Sequence, residues 1–203
     1  MRTIKKVASH IFIDGFGGMT QGLFATLIIG TMIQQIGLLI GGSTGNVIYL
    51  LGKAAAALTS AGIGVGVAVK YGESPLVTVS AAVAAMVGGY AGKITGGTFF
   101  VDGNAVLAGP GEPLGAFIAA FAGITCGHLV SGKTKVDIIV TPVITIGAGS
   151  VVGLIVGPPI SQMMTGLGSI INWATEQRPF IMGIVVSVVM GMVLTLPISS
   201  AAL

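Results

Sequence analysis

Six Asp and Glu residues serve a chain of 203, and one of them, Glu112, stands in GPGEPLG (109–115), between glycines and prolines where a long apolar run begins. A carboxylate held in such irregular backbone can accept hydrogen bonds from two neighbouring hydroxyls, which suits a polyol or a sugar. The plainer account makes Glu112 a first-turn helix acid favoured by the macrodipole. Pro113 would then fill an early helical position where its missing N–H does no harm. Glu73 has a similar setting in GESPL (72–76), although Lys70, three residues earlier, would also explain it as a local surface pair. Asp102 and Asn104 bring further hydroxyl-binding groups into the loop before Glu112, or simply form an Asp-Gly turn. His128 completes the candidate substrate-binding set, with service as a cation at a helix C-terminus as its alternative.

These groups need a scaffold, and composition says which kind. Mean hydropathy is +1.01, 53% of residues are hydrophobic, and only 7% are charged. A soluble domain carries roughly a quarter of its residues as Asp, Glu, Lys and Arg, so the chain must lie in a membrane. The net charge of +3 is what a few juxtamembrane lysines produce and argues for no nucleic-acid partner. MRTIKKVASH has a basic start, but Asp14 and several glycines interrupt the apolar stretch after it and no small-residue cleavage site closes it. The segment reads as an uncleaved first span. One cysteine, Cys126, excludes an internal disulfide and reads as a small helix residue.

Apolar runs near the ~20 residues that cross a bilayer predict spans at 16–40, 45–69, 75–95, 113–131, 137–157 and 180–203. The 97–112 loop is too polar and glycine-rich to cross. Residues 159–178 predict an amphipathic or re-entrant helix opened by Pro158-Pro159 and closed before Pro179. Asn172, Glu176 and Gln177 on it would line a polar path or a solvated face. Placing the N-terminus in the cytoplasm puts Arg2, Lys5, Lys6, Lys70, Lys133 and Lys135 there too, as the positive-inside rule requires. Lys93 and Arg178 then fall outside, and the GPGEP loop lies on the outer side or folds back from it toward the midplane. Lys53 lies within a span, where a charge is either functional or snorkels from near a helix end. Glycine runs at 62–69, 87–92 and 147–157 read as close helix-packing faces.

GESPLVTVSAAVAAMVGG (72–89) can be laid on GEPLGAFIAAFAGITCG (111–127). Pro75 and Leu76 then match Pro113 and Leu114, and Gly89 matches Gly127. The two spans would run in opposite directions, as an inverted repeat. Such repeats with interrupted helices point to a transporter whose substrate sits where the repeats meet. The fold expected is therefore all-α: one multi-pass transmembrane bundle over 1–203, with an internal inverted repeat and broken or re-entrant helices.

GHLVSGKT (127–134) satisfies the Walker A spacing but lacks a strand before it and an acidic strand end elsewhere, so it reads as a cytoplasmic loop. No His/Cys cluster has metal-ligand spacing, and no Ser/His/Asp set can be defended. The residues carry no enzyme signature and call for no cofactor.

GFGGMTQGLFATLIIGTMI (15–33), KYGESPLV (70–77), GPGEPLGAF (109–117), SGKTKVDIIVTP (131–142), IVGPPI (155–160), INWATEQRPFIMGI (171–184) and LTLPISSAAL (194–203) resemble the membrane IIC subunits of the bacterial phosphotransferase system, in the branch called EIIC type 2. The resemblance implies a sugar permease in the bacterial inner membrane, a homodimer whose substrate is phosphorylated during uptake by a IIB partner supplied through IIA. IIC proteins of the broader glucose-type group carry a G-I-T-E-P motif whose glutamate binds sugar hydroxyls. GPGEP (109–113) is similar to it, which carries that role to Glu112 alone. Against the family pattern the chain stops early, at LPISSAAL, which suggests a truncation that removes part of the site. Two other functions fit the residues: a transport-inactive membrane regulator on the same scaffold, or an ion-coupled transporter using Glu112, Glu73 and Lys53.

Overall fold

The computed structural model describes residues 14–101, 103–107, 109–175, 182–184, 187–188 and 191. The span expected at 180–203 lies mostly outside them, as do Asp102, Glu176, Gln177 and Arg178. Among the described residues the chain is a bundle of helices, interrupted only by a two-stranded hairpin, which agrees with the all-α expectation.

The first membrane segment is continuous from Phe16 to Ile40. It comprises α1 (Phe16–Leu23), one wide turn at Phe24–Ile28 and α2 (Ile29–Ile40). Gly41 and Gly42 both take positive φ, +66° and +65°, a conformation that side chains resist. They turn the chain back into α3 (Gly42–Ala57). α3 then meets α4 (Thr59–Lys70) at Leu58 with a bend of 53°. A single span was expected over 45–69; the structure breaks it. Nothing local in KAAAALTS demands a break, and its cause is tertiary, described below.

α5 (Pro75–Gly89) opens on Ser74, whose hydroxyl accepts from the Val77 N–H at 3.4 Å, with Pro75 in the first turn. It ends at Tyr90 instead of running on to residue 95. A short α6 (Ala91–Thr95) follows, then the hairpin of β1 (Phe100–Val101) and β2 (Asn104–Ala105). α7 (Pro113–Val130) begins at Pro113 and α8 (Asp137–Thr175) at Asp137. The Asp137 carboxylate accepts from the Gly132 N–H at 2.9 Å and the Thr141 hydroxyl at 2.6 Å, which secures the turn between them.

α8 overturns one expectation. Pro158 and Pro159 were read as the opening of a separate helix, yet one helix runs through both, and through Pro142. Prolines inside a membrane helix are tolerated because neighbouring elements and local adjustments re-satisfy the freed backbone groups. Among the described residues three helices, Phe16–Ile40, Pro113–Val130 and Asp137–Ile170, are long and apolar enough to cross a bilayer, or four if the bent α3–α4 pair counts as one span.

Glycine faces bring these helices together, as their runs suggested. A Cβ on Gly22 would stand 2.3 Å from the Gly62 carbonyl oxygen, one on Gly64 2.5 Å from that of Ala81, and one on Gly88 2.5 Å from that of Gly115. Backbones this close gain packing where lipid supplies no hydrophobic drive between helices. Met19, Leu23, Ile63, Val67, Val77, Phe117 and Ile124 fill the core between α1, α4, α5 and α7, and Phe16 stacks on Phe117 at 4.8 Å. Because Gly88 faces Gly115 while Val77 faces Gly127, α5 and α7 are antiparallel. The two segments that match in sequence therefore run in opposite directions.

Replacing Gly88 with Val would force its branched side chain into the Gly115 backbone. Overpacking of this order destabilises by about 1–3 kcal/mol or more. The expected outcome is loss of a monodisperse, cooperatively melting species in detergent, measured by size-exclusion chromatography and thermal unfolding.

Candidate functional site at the Glu112 joint

Three interruptions of regular structure meet at one place: the bend at Leu58, the end of α5 at Tyr90, and the loop 109–111. Their freed backbone groups pair with one another. The Glu112 N–H donates to the Gly89 carbonyl at 2.7 Å. The Ser60 hydroxyl donates to the Pro110 carbonyl at 2.9 Å. The Tyr90 hydroxyl donates to the Gly109 carbonyl and also lies 3.3 Å from the Ala57 carbonyl left open by the bend. Tyr90 and Ser60 are both buried. The bend in α3–α4 thus follows from docking against the loop, which is why no local residue announces it.

Gly111 is required here twice over. Its φ is +76°, and a Cβ would stand 2.4 Å from the Ser60 oxygen and 3.1 Å from the Gly89 carbonyl oxygen. Glu112 follows in extended backbone, φ −91° and ψ 110°, at the N-cap of α7. It makes no capping bond, and its carboxylate has no hydrogen-bond or ionic partner among the described residues. Glu112 sits at the N-cap, just before the first turn, where the macrodipole favours a carboxylate even without a capping bond. The group lies just outside the Pro113–Val130 span, and burial raises its carboxyl pKa from the ordinary value. It lines a cleft of about 220 Å³ with Gly89, Lys93, Pro110, Gly111 and Ser161. Lys93 also lies over the Tyr90 ring, 5.4 Å from its centroid.

The other candidates fall elsewhere. The Glu73 carboxylate accepts from His128 Nδ1 at 3.0 Å; the Glu73 side chain is 8% exposed and that of His128 71%. Beside them the Ser74 and Ser131 hydroxyls are 3.1 Å apart. Because α5 and α7 are antiparallel, this cluster lies at the opposite end of α7 from Glu112, roughly 27 Å away at ~1.5 Å per residue. Glu73 and His128 are brought together with each other and not with Glu112. Lys70, the local partner the sequence suggested for Glu73, forms no ion pair with it among the described residues. Asn104 is exposed on the hairpin and is not among the described residues lining the Glu112 cleft; Asp102 lies outside the described residues. Lys53 is exposed on α3, and Asn172 is exposed on α8. GHLVSGKT runs from the end of α7 into a turn, with helix and no strand before it, so its Walker A spacing carries no phosphate loop.

Ser60, Tyr90, Lys93 and Ser161 had no place among the sequence candidates. Lys93 had served only to set orientation, and the tyrosine inside VGGYAG (87–92) was the one available signal, a large side chain with a polar tip amid packing glycines.

A helical bundle with glycine-packed, interrupted helices and apolar spans defines an integral membrane protein by class. A family model described as Phosphotransferase system, EIIC, matches residues 13–203. The chain belongs to that family, and it is a membrane permease subunit of the phosphotransferase system. Comparison with curated proteins and with solved structures gives no match.

The joint can be tested by coupling. Gly111→Ala should destabilise by about 1–2 kcal/mol from backbone handedness alone, and more from the clash with Ser60. Ser60→Ala removes the clashing oxygen, so it should cost less in the Gly111→Ala background than in the parent, read as a double-mutant cycle of unfolding free energies.

Proposed function

We propose that the chain is a sugar-specific IIC permease whose substrate is held at Glu112 and phosphorylated during uptake by a IIB partner charged through IIA. The observation that carries this reading is the Glu112 carboxylate itself, part-buried in a cleft and without a partner among the described residues. A carboxylate so placed accepts two sugar hydroxyls, whose charge-assisted bonds are stronger than neutral ones. Its raised pKa reflects lost hydration, which a polyol's hydroxyls would replace. Lys93 across the cleft adds a donor. Family membership supplies the phosphotransfer setting, since IIC subunits work with soluble partners.

The same reading orients the molecule. With the N-terminus cytoplasmic and several spans crossing the inner membrane, Glu73, His128, Lys133 and Lys135 cluster at the cytoplasmic end of α7. Glu112 then lies at the outer end. A homodimer is part of the proposal, on the family's account. Asn104 belongs to it as a residue of the hairpin and Asp102 by its place in the same stretch of sequence, while the Glu73–His128 pair acts as a closure of the far end and not as a sugar ligand.

Glu112→Gln should abolish sugar binding by calorimetry while the protein still inserts and assembles; unchanged affinity would remove Glu112 from the site. In vesicles, sugar phosphate should accumulate only with phosphoenolpyruvate and the IIB chain. Binding without uptake would favour a regulator, and uptake tracking a proton or sodium gradient would favour an ion-coupled carrier.

A carboxylate that must be ionised to accept bonds from hydroxyls loses them on protonation. Because burial raises the Glu112 pKa, affinity should fall, as pH is lowered, at a higher pH than an ordinary glutamate would impose. Calorimetric titrations across acidic pH, with Glu112→Gln as the control lacking that transition, measure it.

A further inference from the structure

We propose that the Glu112 cleft is one end of a longer groove, and that Ser161 and Gln162 on α8, with Thr95 on α6, form a second subsite for a neutral saccharide of more than one ring. This rests on the sugar reading of Glu112.

A second cleft of about 460 Å³ adjoins the first, and Gly92 and Ser161 line both. The Glu112 cleft alone, at about 220 Å³, is smaller than the ~300–1,000 Å³ of ordinary small-molecule sites, while its neighbour falls within that range. Pro158, Ser161, Gln162 and Thr165 line the larger cleft from α8. Their spacing of three, four and seven residues from Pro158 places them on one helix face.

The polar groups of this face are available. The Ser161 hydroxyl and the Gln162 amide make no hydrogen bond among the described residues. Thr165 and Thr95 spend their protons on the Ser161 and Ala91 carbonyls, both at 2.9 Å, and keep oxygen lone pairs free to accept. Gln162, Thr165 and Thr95 are exposed and Ser161 is partly buried, so these groups meet water or a ligand with both donors and acceptors. No charged residue lines the larger cleft among the described residues. Its chemistry therefore selects neutral hydroxyl-rich ligands and leaves the charges, Glu112 and Lys93, at one end.

The joint between the two clefts depends on Gly92. A Cβ there would stand 2.7 Å from the Ser161 oxygen, so a larger side chain would pinch the groove at its middle. A single-ring sugar could still occupy the Glu112 end; a longer one could not pass.

The test uses the full chain in detergent micelles and calorimetry with a panel of neutral hexoses and disaccharides, against Glu112→Gln, Ser161→Ala, Gln162→Ala and Gly92→Val. Thermal unfolding confirms each variant is folded. Gln162→Ala should weaken the best disaccharide about tenfold or more and leave hexose affinity within about threefold, while Ser161→Ala, at the residue that lines both clefts, should weaken both sugars and the disaccharide more. Gly92→Val should discriminate against disaccharides more strongly. If Gly92→Val does not fold, the two α8 truncations decide the matter. Equal affinity of parent and α8 variants for every sugar, with Glu112→Gln still abolishing binding, overturns the second subsite and spares the sugar reading. Loss of all sugars alike in the α8 variants, or a parent protein that binds only hexoses, also overturns the second subsite. Absence of any binding in the parent overturns both.

Discussion

Everything in this bundle depends on satisfying backbone groups that have left their helices. Inside a bilayer water cannot do it, so a break in one helix must be answered by a break in another. Here three breaks are answered together. The bend at Leu58 exposes the Ala57 carbonyl, the end of α5 exposes that of Gly89, and the 109–111 loop exposes its own. Tyr90, Ser60 and the Glu112 N–H supply the donors. Tyr90 has one phenolic proton for two carbonyls, so the loop and the bend compete for it. Glu112 is positioned through its own main chain, which leaves its carboxylate uncommitted.

The matched segments GESPL and GEPL show how one inserted residue changes a glutamate's role. In GESPL the serine takes the N-cap, accepting from Val77 and meeting the Ser131 hydroxyl. Glu73 is displaced one position back and buries its carboxylate against His128. In GEPL no serine intervenes, and Glu112 occupies the N-cap position itself. Its main chain is fixed by Gly89, yet its side chain makes no cap. The antiparallel arrangement then puts the paired glutamate at one end of α7 and the unpaired one at the other. The sequence placed both carboxylates in the candidate substrate-binding set. The structure separates them by the length of α7, about the thickness of a hydrocarbon core.

Much of this was legible from residues. The charge count required a membrane, the glycine runs predicted the close faces, and Pro75, Pro113 and Asp137 marked helix starts within a residue or so. The bend at Leu58 was not legible, because KAAAALTS is made largely of good helix formers and the cause of the break lies fifty residues away in the Pro110 carbonyl. Pro158-Pro159 misled in the opposite sense. Proline signals a helix boundary by removing a donor and crowding the preceding turn, but α8 continues through the pair. Ser161, Tyr90 and Ser60 are ordinary residues one at a time, and only packing makes them neighbours.

The long α8 has a further consequence for the site. Before the proline pair Cβ atoms on Gly149, Gly153 and Gly157 would each meet a neighbour within 3 Å, although Gly147 faces open space. After it Gly166 and Gly168 have nothing within 4 Å. Ser161 lies at this change, about 24 residues beyond Asp137 and so roughly 36 Å along the axis, past one hydrocarbon thickness. The cleft is therefore built where a helix leaves the packed bundle, at the end remote from the Glu73–His128 pair. A ligand there would touch rigid backbone on one side, at Gly89 and Gly111, and a helix without glycine packing on the other.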